Sequence, residues 1–163
     1  MTLDNLNPLL ITQGALVYIA DYTPLKRVGN FQPAKCYMVP HIVDRYWMQY
    51  IANLGTAEVD PVPVSTQTLE QLDDLTMTDS ITVDDCTVFR INGTQFVIAT
   101  NQRGADIMLP NCGFNQHVMP VNYIHELQAA YLLITGATLD VSTLLQSMRR
   151  YRSKSRDITT GDE

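Results

Sequence analysis

Residues 87–99 read Thr87-Val-Phe-Arg-Ile91, then Asn92-Gly93, then Thr94-Gln-Phe-Val-Ile-Ala99. Both flanks are rich in β-branched and aromatic residues, which suit a pleated, half-buried surface, and Asn-Gly suits a two-residue type I′ turn. A β-hairpin is therefore expected here, and a small antiparallel or mixed sheet around it. Asn92-Gly93-Thr94 also fits the N-glycosylation sequon, but the N-terminal Met-Thr-Leu-Asp-Asn-Leu-Asn-Pro has no basic region leading into an apolar run, so the turn reading is preferred.

Upstream of the hairpin, Ala15–Ala20 and Cys36–Val39 are short apolar runs among Gly14, Pro24, Gly29, Pro33 and Pro40, the pattern of strands and loops. From His41 to Leu54 the period changes. Ile42, Val43, Tyr46, Trp47, Tyr50, Ile51 and Leu54 form the stripe of an amphipathic helix, with Pro40 at its start and Gly55 after its end. Asp60-Pro-Val-Pro-Val64 reads as a stiff connector. Leu69, Leu72 and Leu75 follow at threefold spacing with Ser65 or Thr66 as a cap, which predicts a short helix.

Downstream, residues 101–120 read as a loop-rich crossing with one short strand at Ile107–Leu109. Tyr123, Ile124, Leu127, Tyr131 and Ile134 then mark a helix closed by Gly136. Val141, Leu144, Leu145, Met148 and Tyr151 mark another, with Thr138 as its N-cap and Asp140 in its first turn. The short connection predicts an antiparallel αα-hairpin. The fold class expected is α+β: one domain with a β-hairpin, a small sheet, one aromatic-rich helix and a C-terminal αα-hairpin.

The 163 residues, 45% hydrophobic and 17% charged, suffice for one domain with a core, and no apolar run approaches the roughly 18 residues that span a bilayer. A soluble, cytoplasmic protein is expected. The net charge of -6 is unevenly spread. Residues 1–148 hold 6 cations against 14 anions, whereas residues 149–163 hold 5 cations against 3 anions. The chain thus divides into an acidic globular body, 1–148, and a basic, flexible tail, 149–163. An acidic body repels phosphate backbones, so polyanion contact belongs at the C-terminal end.

Within that end, Arg149, Arg150, Tyr151, Arg152, Lys154 and Arg156 combine cations with an aromatic ring, groups that contact phosphates and stack on unpaired bases. They are the candidate RNA- or DNA-binding residues. The competing explanation is that cations at a helix C-terminus offset its macrodipole. Tyr46, Tyr50, Tyr123 and Tyr131 are candidate interface anchors, provided that they share an exposed face.

Signs of catalysis are sparse. Cys36, Cys86 and Cys112 match no C-x-x-C pattern, and reduced, buried thiols are expected. A zinc site can be drawn through Cys112, His117 and His125, but His125-Glu126 lacks the second histidine of a zincin helix. Cys36 with His41, or Cys112 with His117, would be loose nucleophile pairs, and no G-x-S-x-G elbow is present. There is no P-loop and no G-x-G-x-x-G. Glu70, Asp73, Asp74, Asp79, Asp84 and Asp85 lack the order of an EF-hand loop and read as solvated carboxylates. No cofactor, metal or catalytic residue is assigned.

In its many Asn, Gln and Thr, few charges and aromatics in short strands, the composition resembles small structural or accessory proteins of viruses and phages. The expected function is a non-enzymatic assembly or interaction module, a homo-oligomer that joins other structural proteins and is incorporated in a virus particle. The alternatives are a nucleic-acid accessory factor for packaging or replication acting through the basic tail, and a cysteine or Cys/His metal enzyme.

Overall fold

A computed structural model describes residues 13–21, 37–54, 59–111 and 114–158. In chain order the elements are β1 (Leu16–Asp21), β2 (Tyr37–Ile42), α1 (Arg45–Leu54), β3 (Val59–Pro61), α2 (Thr66–Leu69), β4 (Leu75–Met77), β5 (Thr87–Ile91), β6 (Val97–Asn101), β7 (Gly104–Asn111), β8 (Phe114–Pro120), α3 (Ile124–Thr135) and α4 (Ser142–Ile158). The strands form two antiparallel sheets, one ordered β2-β1-β3 and one a five-stranded meander, β4-β5-β6-β7-β8. The mixed α+β class holds. Among the described residues no helix is long and apolar enough to cross a membrane.

Strand alternation decides where the core sits. Phe89 and Ile91 of β5, Ile98 of β6 and Ile107 of β7 point to one face of the meander, where Leu69, Leu72, Ile124, Leu127 and Leu144 complete the main core. The opposite face carries Val88, Val97 and Ala99, covered by Ile81, Val83 and Cys86. Cys86 thus packs as a partly buried apolar side chain. In β1 both faces are buried, Leu16 toward the main core and Val17 and Ile19 toward Val43, Val59 and Trp47. This explains the unbroken apolar run at 15–20.

Two side-chain links hold the sheets in place. Leu16 N–H donates to Gln128 Oε1 at 2.9 Å, and Gln128 Nε2 donates to the Gly14 carbonyl at 2.9 Å, tying α3 to the start of β1. The Asp60–Val64 segment is more than a connector. Val59–Pro61 is a strand, and Val62 and Val64 are buried while their backbones bond to Ile124 and Asn122, so one stretch joins the small sheet to the base of α3.

The predicted hairpin forms, with Phe89 opposite Ile98 and Arg90 opposite Val97. Its turn differs from the predicted type I′. Thr94 N–H bonds to the Ile91 carbonyl at 3.1 Å, and Gly93 has φ 75, but Asn92 does not take a positive φ. The cause is tertiary. Asn92 accepts from the Thr76 hydroxyl at 2.8 Å, donates from Nδ2 to the Asp73 carbonyl at 3.2 Å, and its N–H reaches the Asp74 carbonyl at 3.0 Å. Those bonds fix Asn92 in place of the local turn preference.

Three further expectations are corrected. The helix expected from His41 begins at Arg45, because His41 and Ile42 finish β2 and Asp44 caps α1, its Oδ1 accepting from Trp47 N–H at 2.9 Å. Pro40 stands inside β2, an edge strand, which tolerates a missing N–H. Residues 101–120 are the β7–β8 hairpin rather than a crossing with one short strand. Finally, α4 opens at Ser142, after both Thr138 and Asp140. Asp140 accepts from Ser142 N–H at 2.8 Å, and bonds from Ser142 hold its carboxyl below the usual range. The Ser65 cap of α2 forms as expected, with Thr68 closing the capping box, and Gly136 ends α3 at φ 74.

Candidate interaction surfaces

The basic segment is carried by α4. That helix buries Leu144 and Leu145, with Val141 buried just before it, and Met148 is the last described side chain on it that packs against the core. Beyond Met148 the helix continues to Ile158 through all five cations. Arg149 and Arg150 are exposed, and Tyr151 is 77% exposed. At 3.6 residues per turn, positions 149, 152 and 156 fall in one row and 150 and 154 in the next, over a rise of about 10 Å from 149 to 156. The side chains of Arg152, Lys154 and Arg156 lie outside the described ones. A helical presentation spaces cations regularly, which suits a charged backbone, and of the five only Arg156 falls in the last turn of α4, where the dipole favours a cation.

The four tyrosines do not share a surface. Tyr46 is 67% exposed on α1, edge-on to Trp47 at 5.7 Å. Tyr123 is half-buried and stacks on His125 at 5.9 Å. Tyr131 is only 6% exposed, a member of the main core whose phenol is pushed up by burial and by Asp74. Its expected role as a surface anchor is corrected, because an inward position on α3 buries it. The side chain of Tyr50 is outside the described ones.

Larger apolar groups stand open at places the sequence did not flag. On α3, Leu133 is 82% exposed and Leu132 47% exposed. The helix is apolar nearly all round, Ile-His-Glu-Leu-Gln-Ala-Ala-Tyr-Leu-Leu-Ile-Thr, and such a helix in a water-facing position has more apolar faces than its own core can cover. That all-round pattern was the available signal.

The histidines are dispersed in role. His117 Nε2 lies 2.8 Å from Asp106 Oδ1 on the exposed face of β7–β8. His125 is buried on α3, and burial lowers its pKa against the opposing pull of Glu126. Cys36 and Cys112 lie outside the described residues, so the drawn Cys112–His117–His125 site is not described as a whole. Among the described residues no group of three or more His, Cys, Asp or Glu is arranged to hold a metal ion.

An open groove of about 760 Å³ lies between α2 and the β5–β7 turns, lined by Ser65, Thr66, Asp84, Asp85, Thr100 and Arg103 among others. Its described lining includes no histidine, cysteine or lysine. Ser65 Oγ is occupied with the α2 cap, at 3.2 Å from both Thr68 N–H and the Thr68 hydroxyl. The groove offers hydroxyls, amides and charges of both signs to a polar partner. Comparison with protein-family models, curated proteins and solved structures finds no match to this chain.

Proposed function

We propose that the chain is a non-enzymatic assembly module that self-associates and joins other structural proteins, in the manner of small virion or assembly proteins of viruses and phages. The observation that carries this reading is the apolar surface kept open on α3 and α1, Leu132, Leu133 and Tyr46. Tyrosine is enriched at interfaces, and a leucine pair left open on one helix is apolar area that a partner would cover. The antiparallel αα-hairpin expected of α3 and α4 belongs to the same proposal, supported by the short Gly136–Val141 connection between them. The place of action is the cytoplasm and a particle assembled there.

Leu133→Glu tests the reading. Because Leu133 is exposed, the substitution is expected to change stability by no more than about 0.5 kcal/mol. Association is expected to weaken by about tenfold or more, as for a truncated interface anchor. Thermal unfolding in dilute solution and sedimentation at high concentration read the two effects separately. Unchanged sedimentation, or a stability loss of core size, would count against Leu133 as a contact residue.

A second reading is favoured by one observation, the continuation of α4 through the cations beyond Met148, the last described side chain that packs against the core. In it residues 149–163 form a basic arm on an acidic body and contact single-stranded RNA or DNA during packaging or replication. Its test is a salt titration of nucleic-acid binding.

A further inference from the structure

Among the described residues the two sheets have four edges, and three of them are guarded. β2 carries Pro40 in its middle, where a backbone donor is missing. β3 is three residues long and ends at Pro61, with Pro63 following, and β4 is also three residues long. Short strands and prolines are the means by which sheets avoid pairing with other chains.

The fourth edge, β8, is neither short nor broken by an internal proline; a register shift against β7 between Ile107 and Met108 leaves Val118 as a bulge residue, while Phe114–His117 pair regularly. It runs seven residues, Phe114–Pro120, with proline only at its end. Asn115, Gln116, His117 and Val118 are all exposed. Successive side chains of a strand point to opposite faces, so four consecutive exposed residues mean that both faces are open there. Beyond β6, which pairs with β7 only as far as Met108, the distal half of the β7–β8 hairpin has no third strand among the described residues. Two strands alone are marginal in water, and a neighbour on the open edge would complete the ladder.

Charge identifies the neighbour. The sequence has no Asp, Glu, Lys or Arg from Ile107 to His125, in a chain of net charge -6. His117, the one titratable side chain on β8, is paired with Asp106. Two copies of an acidic chain repel each other over most of their surface, and least at this edge. An antiparallel strand pair also obeys twofold symmetry, so one strand supplies both halves of the contact.

We propose that β8 is a homodimer edge, through which two copies pair antiparallel about an axis near Gln116, within the regularly paired Phe114–His117, and join their five-stranded sheets into one ten-stranded sheet. The inference rests on the self-association in the proposed function and gives it a specific contact. Seven residues of edge bury less than the ~1,200–2,000 Å² of standard interfaces, so the pair forms reversibly with concentration.

The test combines Gln116→Glu and Val118→Glu in the full chain. With an axis near Gln116, residue 116 faces its own counterpart in the other copy, so Gln116→Glu opposes like charges directly, and Val118→Glu adds further charge to the same edge. Both sites are exposed, so the monomer fold, followed by circular dichroism, is expected to persist. For the wild-type chain, amide hydrogen exchange in Phe114–Val118 is expected to slow as concentration rises, with no such change in β2 or β4. In the double variant that protection is lost, and any association that remains is the one carried by α3 and α1. Protection of Phe114–Val118 that survives the double variant, or concentration-dependent protection that arises only elsewhere, overturns the β8 pairing and leaves the assembly reading intact. A wild-type chain that stays monomeric at every concentration overturns both.

Discussion

Replacing Gln128 by leucine is expected to destabilise the fold by about 2–4 kcal/mol, because a buried backbone donor and its acceptor neighbour both lose their partner. Gln128 satisfies Leu16 N–H and the Gly14 carbonyl, each at 2.9 Å, across 112 and 114 residues of sequence. Leu16 is fully buried, so water does not replace the lost acceptor freely. At this chain length the loss corresponds to a fall in Tm of about 5–15 °C. Gln128→Glu is expected to be destabilising as well, since a carboxylate accepts from Leu16 but cannot donate to Gly14. Thermal and urea unfolding measure both variants. A loss below about 0.5 kcal/mol, the range of ordinary surface substitutions, would show that the α3–β1 link carries no structural weight.

The second large effect concerns the basic arm. Five cations contacting five phosphates of a single strand give a slope of log affinity against log salt near -3.5, so a fourfold rise in salt weakens binding by about 100-fold. Replacing Arg149, Arg150, Arg152, Lys154 and Arg156 by glutamine keeps good helix formers on α4 while removing the charge. The slope and the binding are then expected to vanish together. If the cations serve only the helix dipole, the same variant lowers stability by up to about 1 kcal/mol and leaves nucleic-acid binding unchanged, or there is none to change even at low salt. Filter binding across a salt series separates the two outcomes.

The parts of the fold legible in the sequence were those specified by neighbours along the chain. The Ser65 cap and the Gly136 stop rest on local chemistry and stand where their residues put them, and the first strand of the hairpin does so at Thr87–Ile91, whereas its second strand, expected from Thr94, begins at Val97 after a longer loop. Long-range bonds erased other signals. Asn92 gives up a turn geometry to hold Asp73, Asp74 and Thr76. β8 has no apolar alternation to read, since Asn115, Gln116, His117 and Val118 all face water. At α1 the cap was present as Asp44, but the apolar stripe runs on into β2 and hid it. Of the candidate sites, Tyr46 and the Arg149–Tyr151 turn were legible as exposed groups. Tyr131 was not, because the helical spacing that flags an aromatic does not say which side of the helix the core occupies.

Sedimentation equilibrium of the full chain over a wide concentration range addresses most directly the claim that this molecule works through its surfaces. The apparent mass is predicted to climb from 18.3 kDa toward at least twice that value as concentration increases. A mass that holds at 18.3 kDa throughout would contradict it.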